Sequence, residues 1–243
     1  MAIRCWDGRH QMFIGHYAVG LASKKFAPRA SLGALIAAPI LLDLLWPIFL
    51  LIGWEHVTIN AERNPFLRLV FDSYPISHGL IAVVGWATLF ASLYFGFARY
   101  LAGAIVIWCG VISHWLLDYV VHRPDLQLYA HSRVFGLGLW NHRVATIVVE
   151  LTMFAIAIWI YQRETKAADK IGLFVFWGFL VFLLAVYGFA AFGPPPPTVK
   201  KLIIGTLLTW LMIPWAWWFD RHRRPAEKIA PLPATPEVTP AGG

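Results

Sequence analysis

Six stretches of this 243-residue chain, at 31–53, 76–97, 101–121, 142–161, 171–192 and 199–219, are apolar with few or no charges. Each approaches or exceeds the roughly 20 helical residues that cross the hydrocarbon core of a bilayer. Lipid offers no partner to a backbone amide, so segments of this kind form either a helix bundle or a closed barrel. Continuous apolar runs of this length, without period-two alternation, specify helices. Composition agrees: 14% of residues are charged, against about a quarter in a soluble domain. The expected fold class is all-α, a polytopic membrane helix bundle with about six transmembrane helices. A further amphipathic piece at 12–22 is too short to cross and reads as an interfacial or re-entrant helix. The chain divides into an N-terminal amphipathic segment (1–30), a helical membrane core (31–165), a two-helix C-terminal extension (166–222) and a disordered tail (223–243) rich in Pro and Ala. Pro39 and Pro47 flank Asp43 in the first apolar run. Proline removes a ladder hydrogen bond, so this run is expected to break near the carboxylate, as helices do where they line a cavity.

The net charge of +7 is carried on loops and chain ends. An aromatic-interleaved basic patch is missing, so the bases fit positive-inside sorting and not nucleic-acid binding. With six crossings both ends lie on one side. Thirteen Lys and Arg fall in the segments on that side and seven in the opposite loops, out of 20. The bias favours both termini inside. Cys5 and Cys109 have no ligand spacing, so neither a disulfide nor a thiolate metal site is expected. Residues 1–11 contain no continuous apolar core of a signal peptide.

Ionisable groups inside such spans are costly and mark function. His114, Asp118 and His122 are four residues apart, on one face of the third span. An imidazole and a carboxylate at that spacing can close on one metal ion. Asp43 lies in the first run, His78 at the mouth of the second span and Glu150 in the fourth. At about 1.5 Å of rise per residue, Asp43, His114 and Glu150 lie roughly 15, 10 and 12 Å below the same side, which makes one polar site plausible there. His16 precedes the first run: either the short helix inserts deeply or His16 is unrelated. His122, Arg123 and Asp125 sit where the third span meets its loop, as outer-shell groups with Asp125 orienting an imidazole, or as interfacial residues. Asn141 and His142 cap the fourth span or meet substrate. The plainer alternatives are a hydrogen-bonded packing pair for His114 and Asp118, a helix cap at His78, and an arginine-paired or protonated Glu150.

Several motifs together resemble a known pattern: His16 followed by Gly20, Leu-Leu-Asp at 41–43, Ser77-His78, and Ser-His-Trp-Leu-Leu-Asp at 113–118. With Val-His-Arg-Pro-Asp-Leu (121–126), Gly-Leu-Gly-Leu-Trp-Asn (136–141), the proline run 194–197 and Trp-Phe-Asp-Arg-His-Arg (218–223), most of residues 10–225 resembles the bacterial LexA-regulated, membrane-bound metal-dependent hydrolases. That family is similar in pattern to zinc-dependent phospholipases C. The resemblance implies a bacterial inner-membrane, multi-pass protein. Its divalent metal, zinc by ligand type, would be held by His16, Asp43, His78, His114 and Asp118, with Asp43 or Glu150 as general base. The substrate would be an amphiphilic, lipid-like phosphoester cleaved through a metal-activated water, with Arg123, Arg133 or Arg143 receiving the phosphate. One departure from the pattern is Leu-Asp-Leu-Leu at 42–45, which lacks a second acid and a His and so argues against a full multi-metal site. The sequence contains neither Gly-x-Ser-x-Gly nor His-Glu-x-x-His, so serine hydrolase and zincin chemistry lack support. The competing expectation is a non-enzymatic membrane protein, an ion or proton pathway or an accessory subunit, using the same acids and imidazoles.

Overall fold

The computed structural model describes residues 14–61 and 68–226. Cys5, His10, the start of the 12–22 piece and the tail beyond residue 226 lie outside them. The described chain is predominantly helical. Helix α1 (Ile14–Ser23) leads into the pair α2 (Leu32–Ala37) and α3 (Leu41–Leu51). Two strands follow, β1 (His56–Ile59) and β2 (Leu69–Ser73), then α4 (Leu80–Ala98) and α5 (Leu101–Val121). Two-residue strands β3 (Leu126–Gln127) and β4 (Val134–Phe135) precede α6 (Arg143–Glu164). The chain ends with β5 (Thr165–Ala167), α7 (Lys170–Phe192), α8 (Val199–Leu207), α9 (Met212–Arg221) and β6 (Arg223–Pro225). A 3-10 turn at Leu208–Leu211 joins α8 to α9 into one apolar rod.

Among the described residues five helices are long and apolar enough to span a membrane: α4, α5, α6, α7 and the α8–α9 rod. Their outer faces carry large apolar side chains such as Phe97, Ile105, Val144, Phe174 and Val181. An exposed apolar surface of that extent needs a non-aqueous surround. The first apolar run is broken, as its prolines predict. Residues 38–40 form a turn at Pro39, leaving a six-residue α2 and an eleven-residue α3. At about 1.5 Å per residue neither reaches across a core of about 30 Å. Between α3 and α4 the chain forms an antiparallel β1–β2 ladder, with Val57 opposite Phe71 and Ile59 opposite Leu69. A bond from Thr58 Oγ1 to Asp72 Oδ2 fastens it (2.5 Å).

The short helix α1 lies inside the bundle. It packs on α6, α2 and α5, and Ile14, Tyr17 and Leu21 are all but inaccessible. It is therefore the inserted form of the two the sequence allowed. Glycine permits the close approach: a Cβ on Gly20 would stand 2.8 Å from the Ile36 Cα of α2, and one on Gly33 would stand 2.8 Å from the Ile213 carbonyl oxygen of α9. Small residues at such crossings let helix backbones meet where no hydrophobic force drives them together.

The C-terminal helices are stapled to this N-terminal layer by buried polar groups. Asp220 Oδ2 accepts from Lys24 Nζ at 2.7 Å and from the Leu32 backbone N–H at 2.9 Å. Asp220 Oδ1 accepts from the Tyr161 hydroxyl at 2.8 Å, and Lys24 Nζ also donates to the Ala30 carbonyl at 2.9 Å. Both charged side chains are buried. Removing one partner of such a pair leaves an uncompensated charge, at a cost of about 3–5 kcal/mol. Asp220→Ala is therefore expected to destabilise the detergent-solubilised protein by about that amount, read as a lowered thermal midpoint. Unchanged unfolding would remove the staple from this account.

Candidate metal centre

Four elements bring imidazoles and carboxylates to one point beside the broken helix. Helix α5 presents buried His114 and Asp118 one turn apart. His16 comes from α1, Asp43 from the first turn of α3, and buried His78 from the turn before α4. His114 Nε2 lies 3.1 Å from Asp118 Oδ2 and 4.0 Å from Asp43 Oδ1. His78 Nε2 lies 3.8 Å from both Asp43 Oδ1 and Asp118 Oδ2. His16 Nε2 approaches the other Asp118 oxygen, Oδ1, at 3.3 Å. The ligand atoms of His16, His114 and Asp118 lie within 4.8 Å of one another, and so do those of Asp43, His78 and His114.

The partners of the other ring nitrogens fix what these imidazoles present. His114 Nδ1 is 2.7 Å from the carbonyl oxygen of Pro39. A carbonyl only accepts, so Nδ1 carries the proton and donates, and Nε2 faces the carboxylates. The broken helix supplies this acceptor. Gly110 on α5 lets the break approach, since a Cβ there would already be 3.0 Å from the Ala38 Cβ. His122, at the end of α5, repeats the arrangement: its Nδ1 donates to Asp125 Oδ1 at 2.9 Å and its Nε2 lies 3.8 Å from Asp118 Oδ2. Tying the outer ring nitrogen to a carbonyl or carboxylate is how proteins orient metal-ligating histidines.

The cluster could hold a cation. The His16 and His114 rings are stacked face to face, 3.9 Å between centroids and 1° from parallel. Two imidazolium charges at that separation repel, which disfavours protonating both rings together. Although Asp118 Oδ2 is 3.1 Å away, His114 Nε2 makes no hydrogen bond. Ligands about 2.0–2.1 Å from a tetrahedral ion lie about 3.3 Å apart. The contacts observed here, from 3.1 to 4.0 Å, straddle that value. Buried His and Asp groups that could hold a metal ion are thus present.

A cavity of about 70 Å³ opens on the cluster. A water needs about 10–15 Å³ on the same measure, so the space takes a few small groups. Trp46, Phe71 and Trp140 form apolar walls, and Thr206 and Thr209 near the α8–α9 junction complete the lining with His16, Asp43, His78, Asp118 and His122. Asp43 is the open side, its side chain 42% exposed where that of Asp118 is 5%. Beyond the cavity Asp125 gathers donors, with the Tyr74 hydroxyl at 3.0 Å and Arg123 Nε at 3.1 Å joining His122. Burial pushes the Asp125 carboxyl up, but the His122, Arg123 and Tyr74 bonds outweigh it and hold the group below the usual carboxylate range.

The other residues singled out in the sequence lie apart. Glu150 is fully buried on α6 with the Tyr187 phenol of α7 as an electrostatic neighbour, and it does not line the cavity. Asn141 and His142 are exposed before α6, which has no side-chain N-cap bond. Arg123 is held by Asp125, Arg143 stacks on Phe192, and Arg133 is exposed. The sequence reading passed over the Pro39 carbonyl, Glu55, Tyr74, the aromatic walls and both threonines. Proline spacing signals the break that frees the carbonyl, and no pattern in the sequence marks the others.

Replacing His114 with Ala removes the one residue common to both ligand groups. His114→Ala is expected to bind Zn²⁺ at least 100-fold more weakly than wild type, and Glu150→Gln within a few-fold of it, in a chelator-competition titration. These limits are set on the order of the about 10–100-fold that even an outer partner contributes. Equal losses in both variants would put Glu150 back in the centre. No protein-family model, curated protein or solved structure matches the chain.

Proposed function

We propose that this chain is an integral membrane hydrolase whose His16, Asp43, His78, His114 and Asp118 hold a divalent ion, zinc by ligand type, and whose substrate is an amphiphilic phosphodiester. The observation that carries the reading is the aim of the imidazoles: Nδ1 of His114 and His122 is spent on the Pro39 carbonyl and Asp125, and Nε2 of each is turned toward buried Asp118. The resemblance to membrane-bound metal-dependent hydrolases supports the same reading. A bound ion would acidify a water and polarise the scissile phosphoester.

Asp43 is the residue placed to take the proton from the attacking water, since of the two carboxylates lining the cavity it is the exposed one. Asp118 holds the imidazoles in place from behind. Trp46, Phe71 and Trp140 exclude bulk water and give the reacting group an apolar surround. Among the described residues no Lys or Arg lines the cavity. With so little fixed positive charge, a diester bearing one negative charge suits the site better than a monoester bearing two. The cavity takes only the reacting group, so the remaining apolar part of the substrate lies in the membrane. With α2 and α3 counted together as a sixth crossing beside the α8–α9 rod, the excess of Lys and Arg on the side that holds the chain ends supports a multi-pass placement in a bacterial inner membrane with both ends inside.

The test is metal content and turnover on one preparation. Wild-type protein purified without chelator is expected to carry stoichiometric zinc by elemental analysis and to release the leaving group of a lipid-like phosphodiester. Asp43→Asn, which swaps a carboxylate ligand for a weaker amide oxygen, is expected to hold the metal less tightly and, when loaded with excess zinc, still to lose at least about 100-fold in turnover, in the range of a lost general base. His114→Ala with Asp118→Ala is expected to lose both. Folded wild type without stoichiometric metal would end the hydrolase reading. One observation favours the second reading, a proton pathway: titratable groups run from His16 through Asp118, His122 and Asp125 to Tyr74 with links of 3.3, 3.8, 2.9 and 3.0 Å. Proteoliposomes that dissipate a pH gradient, while their protein is metal-free, would select it.

A further inference from the structure

Glu55 is an acid buried to 1% exposure. It follows α3 in the turn before β1 and reaches the turn before α4. Its Oε1 accepts from the Ile76 N–H at 2.8 Å and the Ser77 N–H at 2.7 Å. Its Oε2 lies 2.6 Å from Ser77 Oγ, and the same Oγ lies 2.7 Å from His78 Nδ1. A hydroxyl has one proton to give. The carboxylate, an acceptor only, takes it, so Ser77 Oγ can only accept from His78. The Nδ1 of His78 must then carry a proton, and in the neutral ring its Nε2, 3.8 Å from Asp43 Oδ1 and from Asp118 Oδ2, is left with a lone pair.

We propose that Glu55 is a positioning residue which, through Ser77, holds His78 in the Nδ1–H tautomer so that Nε2 presents a lone pair to a cation between Asp43 and Asp118. Without that carboxylate the Ser77 hydroxyl is free to turn and donate to Nδ1. The proton then sits on Nε2, where it meets the carboxylates directly, and the cluster satisfies itself without a cation. Glu55 thus gives His78 what the Pro39 carbonyl gives His114 and Asp125 gives His122. This rests on the metal-centre reading for its consequence, while the tautomer itself does not depend on a metal.

The deciding variant is Glu55→Gln, which keeps the shape and can still accept from the two backbone N–H groups. Its amide would donate to Ser77 Oγ and so reverse the relay. Ser77→Ala removes the link, and Ser77→Thr restores the hydroxyl. In detergent-solubilised full-length protein, Zn²⁺ affinity by chelator competition is expected to fall about 10–100-fold in Glu55→Gln and Ser77→Ala, the size of an outer-partner loss. Ser77→Thr is expected to stay within about threefold of wild type on the same scale. Long-range ¹⁵N–¹H spectra of metal-free protein are expected to show the His78 Nδ1–H form in wild type and the Nε2–H form in Glu55→Gln. If Glu55 only braces the turn, both variants lower the thermal midpoint while Zn²⁺ affinity and tautomer stay unchanged, and the proposal is overturned. If wild type binds no Zn²⁺ but the tautomer still reverses in Glu55→Gln, the relay stands and the metal-centre reading falls.

Discussion

A carboxylate inside an apolar bundle has to be compensated, and Asp118 is the point on which this structure turns. Its side chain is 5% exposed, in the last turn of a helix whose other groups are mostly apolar. Left alone it would cost several kcal/mol or be forced to take up a proton. Four histidines approach it instead, His16 at Oδ1 and His114, His78 and His122 at Oδ2. Much of the surrounding architecture serves to bring them there. The insertion of α1 delivers His16, the turn before α4 delivers His78, and the end of α5 delivers His122.

The break at Pro39 is the second requirement, because it makes the first one specific. An intact helix would use its carbonyls on its own ladder. Interrupting the run at residues 38–40 turns the Pro39 carbonyl toward His114 and lets α3 restart with Asp43 in its first turn. One local defect therefore supplies both an orienting acceptor and a carboxylate open to the cavity. The same logic recurs at Asp125 and, through a hydroxyl, at Glu55. Each inward-facing imidazole with a fixed tautomer is held from outside by a group that can only accept.

Much of this was legible in the sequence because it is written in local patterns. The third apolar run predicted α5 to the residue, and the four-residue spacing of His114 and Asp118 predicted their shared face. The prolines around Asp43 predicted the break, and the placing of His122 and Asp125 where the third span meets its loop agrees with a helix that ends at Val121. Glu150 shows the limit of depth arithmetic: rise along a helix gives height but says nothing about which way a side chain points, and this one meets α7 in place of the cluster. Glu55 was silent because its partners lie more than twenty residues away across a β ladder that carries no strong period. Thr206 and Thr209 were silent for a similar reason, since only tertiary packing brings the α8–α9 rod over the site.

The burial of α1 has a consequence for how such a protein is made. This ten-residue helix precedes all of its walls in the chain and is too short to be held by lipid on its own. Its walls are α2, α5, α6 and α7, and the lysine that follows it is neutralised by Asp220 near the far end of the chain. His16 therefore reaches Asp118 only once helices made well after it are in place, so the fourfold approach of imidazoles to that carboxylate is a product of tertiary packing and not of the order in which the chain is made.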